Sequence, residues 1–176
     1  MGVRGIRRKG NEPIKMNVES ILHFAKNKGF VGEYNLDIEQ LVIDNKIEIK
    51  RIELPPEISG KLYMQGDSWI IEVNKNHSPN RQRYTIAHEF AHYCLHKNAN
   101  QTFEDTAFFR KDENKTSIEY EANQFAAELL MPEEKIKEAI ESDLLELKQL
   151  ADHFKVSLIA MKNRLINLGY KLIGDE

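Results

Sequence analysis

Apolar residues recur at helical spacing from Val18 through Ile21, Leu22, Phe24 and Ala25 until Gly29 breaks the pattern, which predicts a first helix. A second, shorter helix is expected over 36–44. Ile47, Ile49 and Ile52 then alternate imperfectly with Glu48, Lys50 and Arg51, the period of a strand that Pro55-Pro56 ends. From Gly60 to Val73 the chain reads as a hairpin: Leu62-Tyr63-Met64, a turn at Gly66-Asp67-Ser68, then Trp69-Ile70-Ile71-Glu72-Val73. A small antiparallel sheet is therefore expected ahead of a largely helical remainder, an α+β arrangement. After a polar connection carrying Pro79, helices are expected at roughly 82–97, 116–130, 132–141, 144–154 and 157–168. No internal repeat or low-complexity segment interrupts the order.

Composition narrows the class. The chain has 176 residues, 41% of them hydrophobic and 30% charged, enough to bury a core in one domain with at most a small appendage. A net charge of −3 is too weak to indicate nucleic-acid binding. Cys94 is the single cysteine, which excludes an internal disulfide; with no secretory leader, a cytoplasmic, reducing location is expected. The longest apolar stretch, Phe125 to Met131, is interrupted by Glu128 and falls far short of the roughly 20 residues that span a bilayer. Residues 1–17 carry five basic residues against Glu12, interspersed with Gly2, Gly5 and Gly10. They read as a flexible basic arm, a solvated tail in preference to a nucleic-acid-binding one.

The sharpest chemistry is His88-Glu89-Phe90-Ala91-His92. Positions four apart share a helix face, so both imidazoles can converge on one cation, and Glu89 then stands beside the ion. Metal-assisted hydrolysis needs that arrangement: a zinc that acidifies water and a carboxylate that takes the proton. A catalytic zinc has three protein ligands and an open position. A His ten residues after His88, with Gly at the motif's eighth position, is excluded by Asn98 and Leu95. His96 lies two turns from His88, about 11–12 Å away, and is read as a helix-end or supporting residue. The third ligand must come from a later helix. Glu119 and Asn123 share a face there with Ala126 and Ala127 a turn on, so Glu119 can bind zinc while Asn123 orients a ligand imidazole. Glu121 points about 200° away from Glu119, and Glu119 is the favoured ligand.

The segments Asn80-Arg81-Gln82-Arg83-Tyr84-Thr85-Ile86-Ala87-His88-Glu89-Phe90-Ala91-His92 and Glu119 through Pro132 together resemble the ImmA/IrrE family of bacterial and phage zinc metallopeptidases. The resemblance runs from the first helix to about Gly169. It implies a compact gluzincin-like domain with a small sheet packed on the zinc-binding helices. It places the metal ligands at His88, His92 and Glu119 and the catalytic glutamate at Glu89. Asn123 is a departure, since related gluzincins often have Asp there; an amide orients a histidine without adding negative charge. The domain is expected over 18–141, followed by a helical extension over 142–176 packed on it.

In that extension, Leu147 to Phe154 and Ser157 to Leu165 have the spacing of two helices joined by a tight turn, with Ser157 as cap and Gly169 as terminator. The pattern is helix-turn-helix-like, yet Leu158, Ile159 and Ala160 occupy the start of the second helix, and five basic residues face four acidic ones from Leu144 to Glu176. Packing on the domain or partner docking is favoured over direct DNA binding. Trp69 to Val73 is a candidate edge for an extended peptide, and Thr102 to Lys115 is a candidate loop for gating the cleft or docking the substrate, with core packing of at least two of Phe103, Phe108 and Phe109 the favoured reading. For the family, the resemblance implies a cytosolic endopeptidase of few substrates, often a helix-turn-helix repressor whose cleavage relieves transcriptional repression, in mobile-element or stress settings. The alternative is a zinc-binding regulatory protein with little or no catalysis that acts through a partner or DNA, as in toxin-antitoxin-like pairs.

Overall fold

The computed structural model describes residues 17–98 and 117–172, and the backbone of residues 102–106. The basic arm, except Asn17, lies outside the described residues, as do Phe108 and Phe109. Two short helices, α1 (Val18–Asn27) and α2 (Ile38–Asp44), lead into strands β1 (Ile47–Ile52), β2 (Ile58–Gln65) and β3 (Ser68–Asn74). Then follow α3 (Pro79–His96), β4 (Thr102–Thr106), α4 (Ser117–Leu130), α5 (Glu133–Glu141), α6 (Leu147–Phe154) and α7 (Leu158–Asn167). The α+β class holds.

Identifiable residues set the helix starts. The Asn17 side chain accepts from Ser20 N at 2.8 Å, and the Asp37 side chain accepts from Gln40 N at 3.1 Å. Helix α3 begins at Pro79, earlier than the expected residue 82. Ser78 accepts from Arg81 N, and a proline at the first helical position has no N–H to leave unsatisfied. Ser157 caps α7 by accepting from Ala160 N at 3.1 Å.

The strand order is β1-β3-β2-β4. Strands β2 and β3 form the expected hairpin, but β1 pairs with β3 in parallel, Ile47 opposite Trp69 through Ile52 opposite Asn74. The sheet is thus mixed, where the pattern predicts an antiparallel one. The Pro55-Pro56 connection carries the chain past the strand position that β3 later fills, and the buried Asn74 side chain holds it there by donating to Leu54 O, Pro55 O and Ile58 O at 3.0–3.1 Å. Strand β3 is therefore interior, and the expected free edge at Trp69 to Val73 does not exist. Thr102–Thr106, expected within a gating loop, is strand β4, antiparallel to β2 with Tyr63 opposite Thr102.

Helix α3 lies across the sheet, burying Ile86, Ala87, Phe90 and Ala91 with Leu62, Ile71 and Val73. Gly60 permits the approach: a Cβ there would stand 2.5 Å from Thr85 Cγ2 and 2.6 Å from the Glu72 carbonyl oxygen. The same core continues through Leu129, Leu130 and Ile136 to Leu150, Phe154, Met161 and Leu165 of the last two helices. Two hydrogen bonds tie those helices down, Asn80 Nδ2 to Val156 O and Arg164 Nε to Met131 O, each 3.0 Å. No helix among the described residues is long and apolar enough to cross a membrane.

Candidate metal centre

The middle of α3 supplies His88 and His92 one turn apart on the face turned toward α4, and both are fully buried. Their Nε2 atoms are 3.1 Å apart. Helix α4 brings Glu119 in its first turn. Oε2 is 3.2 Å from His88 Nε2, and Oε1 is 3.4 Å from His92 Nε2. Small residues make that approach possible, since Ala122 and Ala126 are fully buried on α4. One donor atom from each of the three residues lies within 4.8 Å of the others, and among the described residues this is the one group of three or more His, Cys, Asp or Glu side chains so arranged.

The donor set fits a small, borderline-soft cation. Ligands held tetrahedrally at about 2.0–2.1 Å stand roughly 3.3 Å from one another, close to the 3.1–3.4 Å separations here. Calcium, with oxygen ligands at about 2.3–2.6 Å, wants a wider, all-oxygen cage. Burial depresses the His92 pKa, with the Glu119 hydrogen bond opposing it, so the neutral ring is favoured. Burial pushes Glu119 upward, but the hydrogen bonds with His88 and His92 outweigh it and hold Glu119 well below the usual carboxylate range. Neutral imidazole and ionised carboxylate are the forms that bind a metal. With both rings buried and Glu119 one-third exposed, the centre opens to solvent on the α4 side.

Glu89, the residue after His88, is fully buried. Glu121 does not join the three donors: its Oε2 lies 3.5 Å from His96 Nε2, and His96 Nδ1 is 3.2 Å from His92 Nδ1. His96 thus stands behind the ligand ring. The four-residue spacing from His92 is the signal for that position, whereas the partnership with Glu121 has none in the sequence. Asn123 is the residue expected to orient a ligand imidazole. Its Oδ1 is buried without a hydrogen bond, and its backbone carbonyl accepts from the Tyr84 hydroxyl at 3.3 Å.

A family model described as the IrrE N-terminal-like domain, a peptidase family, matches residues 44–166. The chain is also similar to Metallopeptidase ImmA of Bacillus subtilis (strain 168), with 31% identity over 104 residues. That match covers 58% of this chain and 59% of the relative, so the chain spans less than two thirds of the length of the relative it matches.

Proposed function

Because the chain belongs to the family of IrrE N-terminal-like domains, we propose that it is a zinc-dependent endopeptidase that cuts a cytoplasmic regulatory protein, a helix-turn-helix repressor, and so relieves transcriptional repression. The observation that carries this reading is the convergence of His88 Nε2, His92 Nε2 and the Glu119 carboxylate within 4.8 Å. These three residues would hold the ion. Zinc bound there supplies a Lewis acid that polarises the scissile carbonyl and brings the pKa of water toward neutrality.

The chain's own residues do the rest. Two imidazoles and one carboxylate would hold the ion with three protein ligands, as in catalytic sites that also bind water, and Glu119 is one-third exposed to solvent. Glu89 is placed next to His88 on the same helix, and its carboxylate takes the proton of the attacking water and passes it to the departing amine. Burial of Glu89 removes competing water from that transfer. His96 backs the His92 ring from Nδ1 and fixes its orientation, with Glu121 behind it.

The test is Glu89→Gln. The purified variant keeps one equivalent of zinc by elemental analysis and loses cleavage of the repressor encoded beside its gene, whereas wild-type protein cuts it. A variant that still cuts would remove Glu89 from its role. A wild-type protein that binds zinc but cuts no protein would favour the non-catalytic regulatory reading.

A further inference from the structure

One turn from the three donors, α3, α4 and α7 enclose a cavity of about 570 Å³, a size typical of ligand sites. Tyr84, four residues before His88, and Asn123, four after Glu119, form its wall toward the metal centre. Four residues advance a helix by about 6 Å. Two arginines line it, Arg81 and Arg164, and among the described residues no Asp or Glu does. Arg164 is buried, with Nε donating to Met131 O at 3.0 Å. Glu128 and Glu133 lie within electrostatic range of Arg164, but among the described residues neither forms an ion pair with it, and Glu133 is held by Lys137 at 2.6 Å. Arg81 likewise makes no ion pair among the described residues, and its Nη2 donates to Ser59 Oγ at 3.0 Å. The N-caps of α3 and α7, Ser78 and Ser157, also line the cavity, so two helix N-termini add to the positive potential.

Buried cations in proteins are paired or hydrogen-bonded to anions, and here the buried Arg164 borders a cavity with no Asp or Glu among its described lining residues. We propose that this cavity is a substrate subsite for the carboxylate of an acidic side chain, an Asp or Glu of the cleaved protein. The inference rests on the peptidase reading above. Extended peptide advances about 3.3 Å per residue, so an offset of about 6 Å places the acidic residue about two positions from the cut bond. Asn163, also on the α7 wall, supplies amide donors and acceptors for the peptide backbone between them.

Binding is measured on full-length, zinc-loaded Glu89→Gln protein by fluorescence polarisation, so that turnover plays no part. The probes are three labelled, N-acetylated hexapeptide pools that are randomised over uncharged residues. One has a central Glu and an amidated end, the second a central Gln and an amidated end, the third a central Gln and a free terminal carboxylate. The Glu pool is expected to bind about tenfold more tightly than the amidated Gln pool, as for a charge-assisted hydrogen bond. Arg164→Gln abolishes the preference. Because that change could perturb packing, Ile159→Glu is the second variant: Ile159 lines the cavity and is 54% exposed, so the new charge removes no buried contact, and it too abolishes the preference. Equal affinity of the Glu and amidated Gln pools overturns the proposal, as does a preference that survives both variants. Preference only for the free-terminus pool overturns the side-chain assignment. If instead the Glu pool is preferred as expected while wild-type protein cuts nothing, the subsite stands and the peptidase reading fails.

Discussion

Replacing Gly60 by alanine tests whether the metal centre depends on α3 lying against bare backbone. The added Cβ would meet Thr85 Cγ2 at 2.5 Å and the Glu72 carbonyl oxygen at 2.6 Å, where ordinary contact is 3.4–4 Å. Thr85 is fully buried and branched at Cβ, which leaves it few rotamers. The Glu72 carbonyl belongs to β3, the strand paired with β2. About 1 Å of space must be opened, either by lifting α3 from the sheet or by spreading the ladder. Overpacking of this kind costs about 1–3 kcal/mol, and a backbone obstacle places it at the upper end. Alanine returns about 0.4–1 kcal/mol by restricting the unfolded chain. The net loss of about 2 kcal/mol lowers Tm by about 4–8 °C for a chain of this size. Thr85 stands three residues before His88, so lifting α3 also carries that imidazole away from Glu119. Thermal unfolding of zinc-loaded protein and zinc content after dialysis read the two effects. Gly66→Ala is the control: its φ of +60 puts strain of about 1–2 kcal/mol on alanine, but nothing lies within 4 Å, and zinc retention is unaffected. Thr85→Ser in the Gly60→Ala background removes the Cγ2 clash and recovers part of the loss. A Gly60→Ala protein that melts within about 1 °C of wild type with its zinc intact refutes the reasoning.

Glu119→Gln should weaken zinc binding about 100-fold or more in a chelator competition, beyond the effect of losing a supporting residue, while Glu121→Gln keeps full stoichiometry; the reverse outcome would exchange the two glutamates. Lys155 ends α6 with φ 53, a conformation strained for a side chain. Lys155→Gly is expected to gain about 0.5–1 kcal/mol and raise Tm by about 1–4 °C, and a drop in Tm would contradict that account. Burial pushes the Cys94 thiol from 9.0 up to about 12, which cuts its thiolate fraction at pH 8 about a thousandfold. Iodoacetamide should therefore label urea-unfolded protein far faster than native protein, and equal rates would show the thiol to be accessible.

The parts of the site that were legible in the sequence are those whose geometry is local. His88 and His92 meet because four residues of helix bring any two side chains onto one face, and the same rule sets Glu119 on the face of α4 that carries Ala122 and Ala126. What no spacing states is how far apart the two helices stand. Two fully buried alanines on α4 set that distance, and buried alanines are as common in ordinary cores as in metal sites. Glu121 shows the same division. Its direction away from Glu119 follows from helix geometry, while its pairing with His96 depends on the end of α3 reaching the start of α4.

Errors in the sequence reading fall where pairing is non-local. The hairpin of β2 and β3 is set by a two-residue turn, but the parallel place of β1 depends on a connection fastened by Asn74, twenty residues beyond Leu54. Five residues, Thr102–Thr106, become a strand only because β2 offers them a free edge. Arg81 and Arg164 are the extreme case. They belong to different helices 83 positions apart, yet both border the cavity beside the candidate metal centre. On the proposed reading the chemistry would rest on a short stretch of α3 with one acid from α4, whereas substrate choice would require α7 to be docked. Arg164→Gln should then remove the preference for the acidic peptide while zinc content by elemental analysis stays at one equivalent, since none of the three donors lies beyond α4.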